Sequence, residues 1–381
     1  MPAMTIRSHP GYRSICVFFR TVAAVFLLYA LFNFLYDPTG VFFDRDEKPD
    51  LQMVNSAWLQ VREVLRHPEE CDSFIFDTSR AYVWDARKLG SGWCKIAINN
   101  KGIGSYANVL RLFVRRGVTI KSVIIIPEYA QYFNLARFGY YESAYNEMEY
   151  PNTAFEGIYS LYKLLFLPVS TEGLRYFIHR ILGQSAGPQE TWRDILHKPS
   201  LQWFPILAWS PERRIKWLTD APAYEGILEY RHYEPEREDE ILRDILNLGA
   251  ARGFKVTVII TPSSIKNIVA SDKSDRFDIY RRLARITPFY DFSDDIDRAM
   301  DIRFWLDPTH YNEHVADGII RDLARAGKDM TFGRLITADN VDSEIQKIQN
   351  HVNEKFIDRP PYPPHTFIHE SWLDRPADVR H

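Results

Sequence analysis

The chain has 381 residues, 46% of them hydrophobic, with 47 basic and 50 acidic side chains for a net charge of −3. It is long enough for one large domain or two smaller ones. Neither sign of charge forms a long block, which excludes a basic nucleic-acid surface. The aromatic load is high, with 21 Tyr, 24 Phe and 9 Trp.

Residues 21–36 carry no charged side chain. With 14–19 in front, the run reaches the roughly 20 residues that a membrane-spanning helix needs. Arg20 interrupts it and can snorkel to the near interface. Arg7, Arg13 and Arg20 all lie on the N-terminal side, so the positive-inside rule places residues 1–13 in the cytoplasm and everything after 36 outside. A cleaved signal peptide is the competing reading. The apolar run is long for one, and Tyr36-Asp37-Pro38 lacks small residues for cleavage. An uncleaved anchor over 14–36 is therefore expected, which puts 37–330 in an extracytoplasmic domain at a bacterial inner membrane.

Asp37-Pro38-Thr39-Gly40 breaks the anchor helix. Residues 51–65 have helical spacing. Next come a strand at 73–76, a short helix at 81–89, a strand at 95–98 and a helix at 105–115. Val123-Ile124-Ile125-Ile126 is a continuous β-branched run, a strand buried on both faces. A helix at 238–251 leads to a similar strand at 256–260. A weak fifth strand follows at 289–292 and a last core helix at 313–326. Strands alternating with helices predict an α/β fold whose parallel sheet is covered on both sides.

Between the third and fourth strands lies an insertion, 129–233, far longer than ordinary connections. It is dense in aromatics, including Tyr129, Tyr132, Phe133, Phe138, Tyr140, Tyr141, Tyr145 and Tyr150, and it holds apolar helical stretches. Such side chains stack on sugars, rest on a membrane or form a small core of their own. The tail 331–381 carries Arg359-Pro360-Pro361-Tyr362-Pro363-Pro364 and predicts an extended arm. Cys71 and Cys94 each precede a predicted parallel strand. They either bridge the sheet's lower edge, worth about 3 kcal/mol, or remain two buried thiols.

The segment Phe74-Ile75-Phe76-Asp77-Thr78-Ser79-Arg80-Ala81 carries the chemical signal. A strand feeding straight into a helix delivers its last residues to the carboxyl edge of the sheet, where open α/β folds bind ligands. Ser79 is then either a nucleophile beside backbone N–H groups that can hold an oxyanion or a helix N-cap. A serine nucleophile needs a base, and the base needs an orienting group. Asp307-Pro308-Thr309-His310 supplies both types three residues apart. In the alternative, Asp307 caps a helix whose first residue is Pro308. His310 and His314 flank Glu313, but the order is not that of a zinc helix and no third ligand is evident, so no metal site is expected.

Three blocks in order resemble the SGNH or GDSL hydrolases. They are Asp77-Thr78-Ser79-Arg80, then Asn99-Asn100-Lys101-Gly102-Ile103-Gly104 after the second strand, then Asp307 to His310. The resemblance spans roughly 73–326 and leaves the insertion unmatched. It implies a three-layer, flavodoxin-like sheet with Ser79, His310 and Asp307 as a triad. Gly102, Gly104, Asn99, Asn100 and Arg80 would serve the oxyanion or the substrate, without metal or organic cofactor. The anchor followed by Tyr36-Asp37-Pro38-Thr39-Gly40 resembles a membrane-tethered subset that acts in O-acetylation of bacterial exopolysaccharides and D-alanylation of teichoic acids. That subset implies a polysaccharide substrate and a membrane partner exporting the acyl group. Two departures stand out. Asp77 occupies the place of the family's glycine, and Pro127-Glu128-Tyr129 stands where the family has an asparagine. They leave open an inactive polysaccharide-binding or scaffold protein.

Overall fold

The computed structural model describes residues 10–36, 56–98, 103–127, 192–199, 235–262, 273–293, 304–306, 310–325 and 330–356, with single residues at 210, 212, 213 and 216. The chain divides into two compact units, Met1–Leu59 with Ala144–Thr191, and Gln60–Ser143 with Trp192–His381.

In the first unit, helix α1 (Pro10–Tyr36) contains a 22-residue apolar stretch, Ser14–Leu35, with a mean hydropathy of 2.3. It is long and apolar enough to cross a membrane. Its large side chains, Phe18, Phe19, Phe26, Leu27 and Leu28 among them, are exposed rather than packed into a core. Thr21 turns its hydroxyl onto the carbonyl of Val17 at 2.9 Å, so this polar group within the stretch is satisfied inside the helix.

The second unit holds a six-stranded sheet. Its strands are β1 (Ser73–Asp77), β2 (Trp93–Ala97), β3 (Ser122–Ile125), β4 (Lys255–Ile260), β5 (Phe289–Asp291) and β6 (Arg334–Ile336). They lie in the order β2-β1-β3-β4-β5-β6. The first five run parallel, and β6 is antiparallel to β5. All five residues of β1 are buried, the expected state of a strand flanked and covered on both faces. Successive strand side chains alternate between faces. Phe74 and Phe76 therefore share one face, where they meet Phe113 and Tyr106 of helix α3 (Ile103–Arg115) at 4.9 and 5.6 Å between ring centroids.

Helix α2 (Ser56–Arg66) precedes the sheet. The β3–β4 crossover contributes α4 (Trp192–His197), packed on β2, and α5 (Pro235–Arg252), packed on α3 and β4. Gly249 permits that close approach of α5, because a Cβ there would sit 2.8 Å from Val256 Cγ2 and 3.0 Å from the Phe254 carbonyl oxygen. Helices α6 (Lys273–Ile286), α7 (Glu313–Ala324) and α8 (Val341–Phe356) complete the described part.

Several expectations change. The single helix predicted at 81–89 is two 3-10 turns, Ser79–Val83 and Ala86–Lys88. The segment from 331 is not extended throughout. Residues 334–336 form β6, and 341–356 form α8, which packs on α6. The buried carboxylate of Asp322 accepts the N–H groups of Phe332 (2.6 Å) and Gly333 (3.1 Å) and so fixes the entry to β6. The proline run 359–364 and most of the aromatic insertion lie outside the described residues. Cys71 and Cys94 form a disulfide.

Candidate active site

Ser79 lies just beyond β1, at the carboxyl edge of the sheet, and opens the first 3-10 turn. The cap position of that turn is Thr78, whose side chain makes no capping hydrogen bond. The turn is closed by main-chain bonds from Ala81 N to the Thr78 carbonyl (3.0 Å) and from Trp84 N to the Ala81 carbonyl (3.1 Å). Ser79 is thus not spent on capping. Its Oγ lies 2.5 Å from Nε2 of His310, across 231 positions of chain.

His310 sits on the returning side of an antiparallel pairing between 304–306 and 310–312. Leu306 N donates to the His310 carbonyl (2.7 Å), Asn312 N donates to the Phe304 carbonyl (2.8 Å), and Trp305 pairs antiparallel with Tyr311. The following helix begins only at Glu313. Its cap is Asn312, whose Oδ1 accepts from Val315 N at 3.2 Å. Asp307-Pro308, the cap and first residue of the expected alternative, lie outside the described residues. His310 is presented from the strand-like segment before that helix, with its carbonyl held by Leu306 N.

Around the pair, Asp77 is fully buried, and its Oδ1 accepts the N–H of Thr78 at 2.7 Å. Arg80 is buried as well and donates through Nη1 to Thr261 Oγ1 at 3.0 Å. Thr261 follows β4, so Arg80 reaches across the edge of the sheet above β3. Gly104 stands in the first turn of α3, where helix N–H groups lack intrahelical partners. Among the described residues an added Cβ there would meet Ile241 Cδ1 at 3.6 Å, an ordinary contact. Asp307, Asn99, Asn100 and Gly102 lie outside the described residues.

Residues without an obvious sequence signal join the two halves of the site. Trp84, which ends the turn begun by Ser79, donates its indole N–H to the hydroxyl of Tyr311, the residue after His310, at 2.9 Å. Both rings are inaccessible to solvent. Lys95, in the middle of β2, is fully buried too. Its ammonium donates to the carbonyls of Tyr82 (3.2 Å), Trp84 (2.9 Å) and Lys198. On the surface, Lys88 pairs with Asp317 of α7 at 2.7 Å.

The two histidines four residues apart have different neighbours, His310 meeting Ser79 through Nε2. His314 is exposed and stacks on Phe304, with centroids 5.8 Å apart. Glu313 between them is half-buried, and burial, reinforced by Asp317, pushes its carboxyl above the usual range. Two clusters among the described residues have metal-ligating atoms close together. In Cys71, Cys94 and His197 the two sulfurs are bonded to each other, leaving a lone imidazole. His67, Glu69 and Glu70 form a solvated surface group. Both lie near the start of β1 or β2, at the opposite edge from Ser79. The His197 imidazole is held below its ordinary pKa by burial, against the opposing pull of the Trp93 carbonyl and Glu70.

Compared with protein-family models the sequence matches none, and comparison with curated proteins finds no match either.

Proposed function

We propose that the chain is a membrane-anchored, extracytoplasmic serine acyltransferase or esterase that acts on acyl groups, foremost acetyl, of a surface or exported polysaccharide. The observation that carries this reading is the 2.5 Å approach of Ser79 Oγ to His310 Nε2 at the carboxyl edge of the sheet. The strand order supports it. A 2-1-3-4-5 parallel arrangement is flavodoxin-like, the type expected of SGNH hydrolases, and such sheets bind ligands at the switch point beside β1 and β3. Ser79 stands two residues beyond the last residue of β1.

Nε2 of His310, as general base, takes the Ser79 proton as Oγ bonds to the acyl carbonyl carbon. The electron pair moves to the carbonyl oxygen, which backbone N–H groups near Ser79 and at the start of α3 stabilise; such donors are each worth about 3 kcal/mol. Collapse of this intermediate expels the alkoxide, which receives the proton from the His310 imidazolium. A sugar hydroxyl or water then gives its proton to His310 and attacks the acyl-Ser79 ester, and the imidazolium returns that proton to Ser79 Oγ as the acyl–oxygen bond breaks. Asp307 takes the role that the family resemblance implies, orienting the imidazole. The chemistry needs neither metal nor organic cofactor. Because the outer face lacks an acyl-thioester pool, transfer requires a membrane partner that exports the acyl group. The apolar stretch of α1 supplies the tether, with its arginine-bearing end inside.

The second reading is an inactive polysaccharide-binding or scaffold protein. The buried Asp77 carboxylate, two residues before Ser79, favours it, because an anion near the oxyanion opposes catalysis. Full chain and its Ser79→Ala variant, compared for acyl-ester turnover in detergent and for polysaccharide acetylation in cells, separate the two. Loss of both activities in the variant supports the enzyme, whereas activity equal to the parent chain refutes it.

A further inference from the structure

The Trp84–Tyr311 hydrogen bond links the two segments that carry the reactive pair, and it joins them at chemically adjacent points. Tyr311 follows His310 directly, and Trp84 closes the turn that Ser79 opens. Core packing alone does not call for this pair. Apolar side chains would fill a core without a buried indole N–H and hydroxyl, each of which costs free energy unless paired. Trp84 is held from three directions. Its N–H donates to the Ala81 carbonyl, its carbonyl accepts from Lys95, and its indole donates to Tyr311. Tyr311 is held in turn by its bridge to Trp305, whose ring meets its own edge-on at 6.5 Å between centroids.

We infer that Trp84 and Tyr311 are positioning residues that set the approach of His310 to Ser79, with Lys95 fixing the Trp84 backbone. This rests on the acyl-transfer reading above. Neither ring is assigned contact with substrate. Their hydrogen bond acts by keeping Nε2 within transfer distance of Oγ, and a misplacement on the order of 1 Å at such a pair costs about 10²-fold in rate. The exposed Lys88–Asp317 pair spans the same two segments, but a solvated ion pair holds geometry weakly.

The test is a double-mutant cycle of Trp84→Phe, Tyr311→Phe and their combination in the full detergent-solubilised chain. The inactivation rate by a fluorophosphonate is measured well below every variant's melting temperature. The expected result is a fall of about 10- to 100-fold in the limiting rate for each single variant, with little change in the probe's half-saturation and no further fall in the double variant. Single variants that label like the parent chain overturn the inference, as do losses that simply multiply in the double variant. Tyr311→Phe removes only a hydroxyl, so it carries the test alone if Trp84→Phe does not fold. The ¹⁵N-histidine signals of His310 in parent and Tyr311→Phe protein give a readout independent of chemistry. They shift if the bond sets the ring's position and stay unchanged if it does not. A parent chain that fails to label refutes the acyl-transfer reading, while these signals still decide the positioning role.

Discussion

Gln60 of α2 offers a sharp test of how the edge of this sheet is finished. Among the described residues β2 is an edge strand, so its outward N–H and carbonyl groups have no neighbouring strand there. The fully buried Gln60 side chain stands in for one. Its Oε1 accepts the Ala97 N–H at 2.9 Å, and its Nε2 donates to the Ala97 carbonyl at 3.4 Å. Gln60→Leu removes both bonds. Orphaning a buried backbone donor costs about 1–3 kcal/mol, and the longer second bond adds a smaller share, so the expected loss is about 2–3 kcal/mol. Gln60→Glu keeps the acceptor for Ala97 N–H but turns a carboxylate toward the Ala97 carbonyl. Burial and that carbonyl raise the new carboxyl's pKa in the folded state. Its stability is then fullest below the ordinary glutamate value of about 4.3 and is lost as pH rises through the raised one. At neutral pH Gln60→Glu is therefore expected to be less stable than Gln60→Leu, with the gap closing in acid. Denaturant unfolding of the detergent-solubilised chain, followed by tryptophan fluorescence at pH 4.5 and about 7, checks this. A Gln60→Leu variant within about 0.5 kcal/mol of the parent, or a Gln60→Glu variant that gains nothing on acidification, refutes the reasoning.

Intact mass with and without reductant will show the Cys71–Cys94 bond. Replacing both cysteines by serine is expected to cost about 3 kcal/mol, since the bond spans a sequence separation of 23. His197 is half-buried and biased neutral, so its contribution to stability is complete above its ordinary pKa of 6.5 and is lost as pH falls through the lowered folded value. His197→Gln is expected to flatten the fall in melting temperature below pH 6.5, and an unchanged slope rejects that assignment. Gly318→Ala should destabilise by about 1–3 kcal/mol, because its Cβ would meet the Phe332 ring at 2.7 Å. Retained stability there would mean that Phe332 moves aside freely.

The sheet was legible because β1, β3 and β4 read as uninterrupted apolar runs closed by turn residues. Ser79 was legible because it stands where such a run ends, and His310 because Asp307 and His310 stand three apart just before the last core helix. The segment after Ser79 was not. Tyr82, Val83 and Trp84 are buried in succession, which one face of an α-helix cannot provide, and Lys95 takes two of the carbonyls there. A lysine inside a strand reads as solvated, and nothing local marks it as a buried ammonium caged by carbonyls. The Trp84–Tyr311 bond joins residues 227 apart, and neither aromatic announces its partner. β6 escaped notice because it is three residues long with one buried side chain. The helix cap at Asn312 was hidden by the more conspicuous Asp307-Pro308.

The most direct measurement of the central claim is peptide-level mass spectrometry of the full chain after fluorophosphonate treatment, run beside His310→Ala. A single adduct on Ser79 in the parent chain, lost or slowed by about 10³-fold in His310→Ala, is the predicted result. No adduct on Ser79, or an adduct formed equally fast without the imidazole, contradicts it.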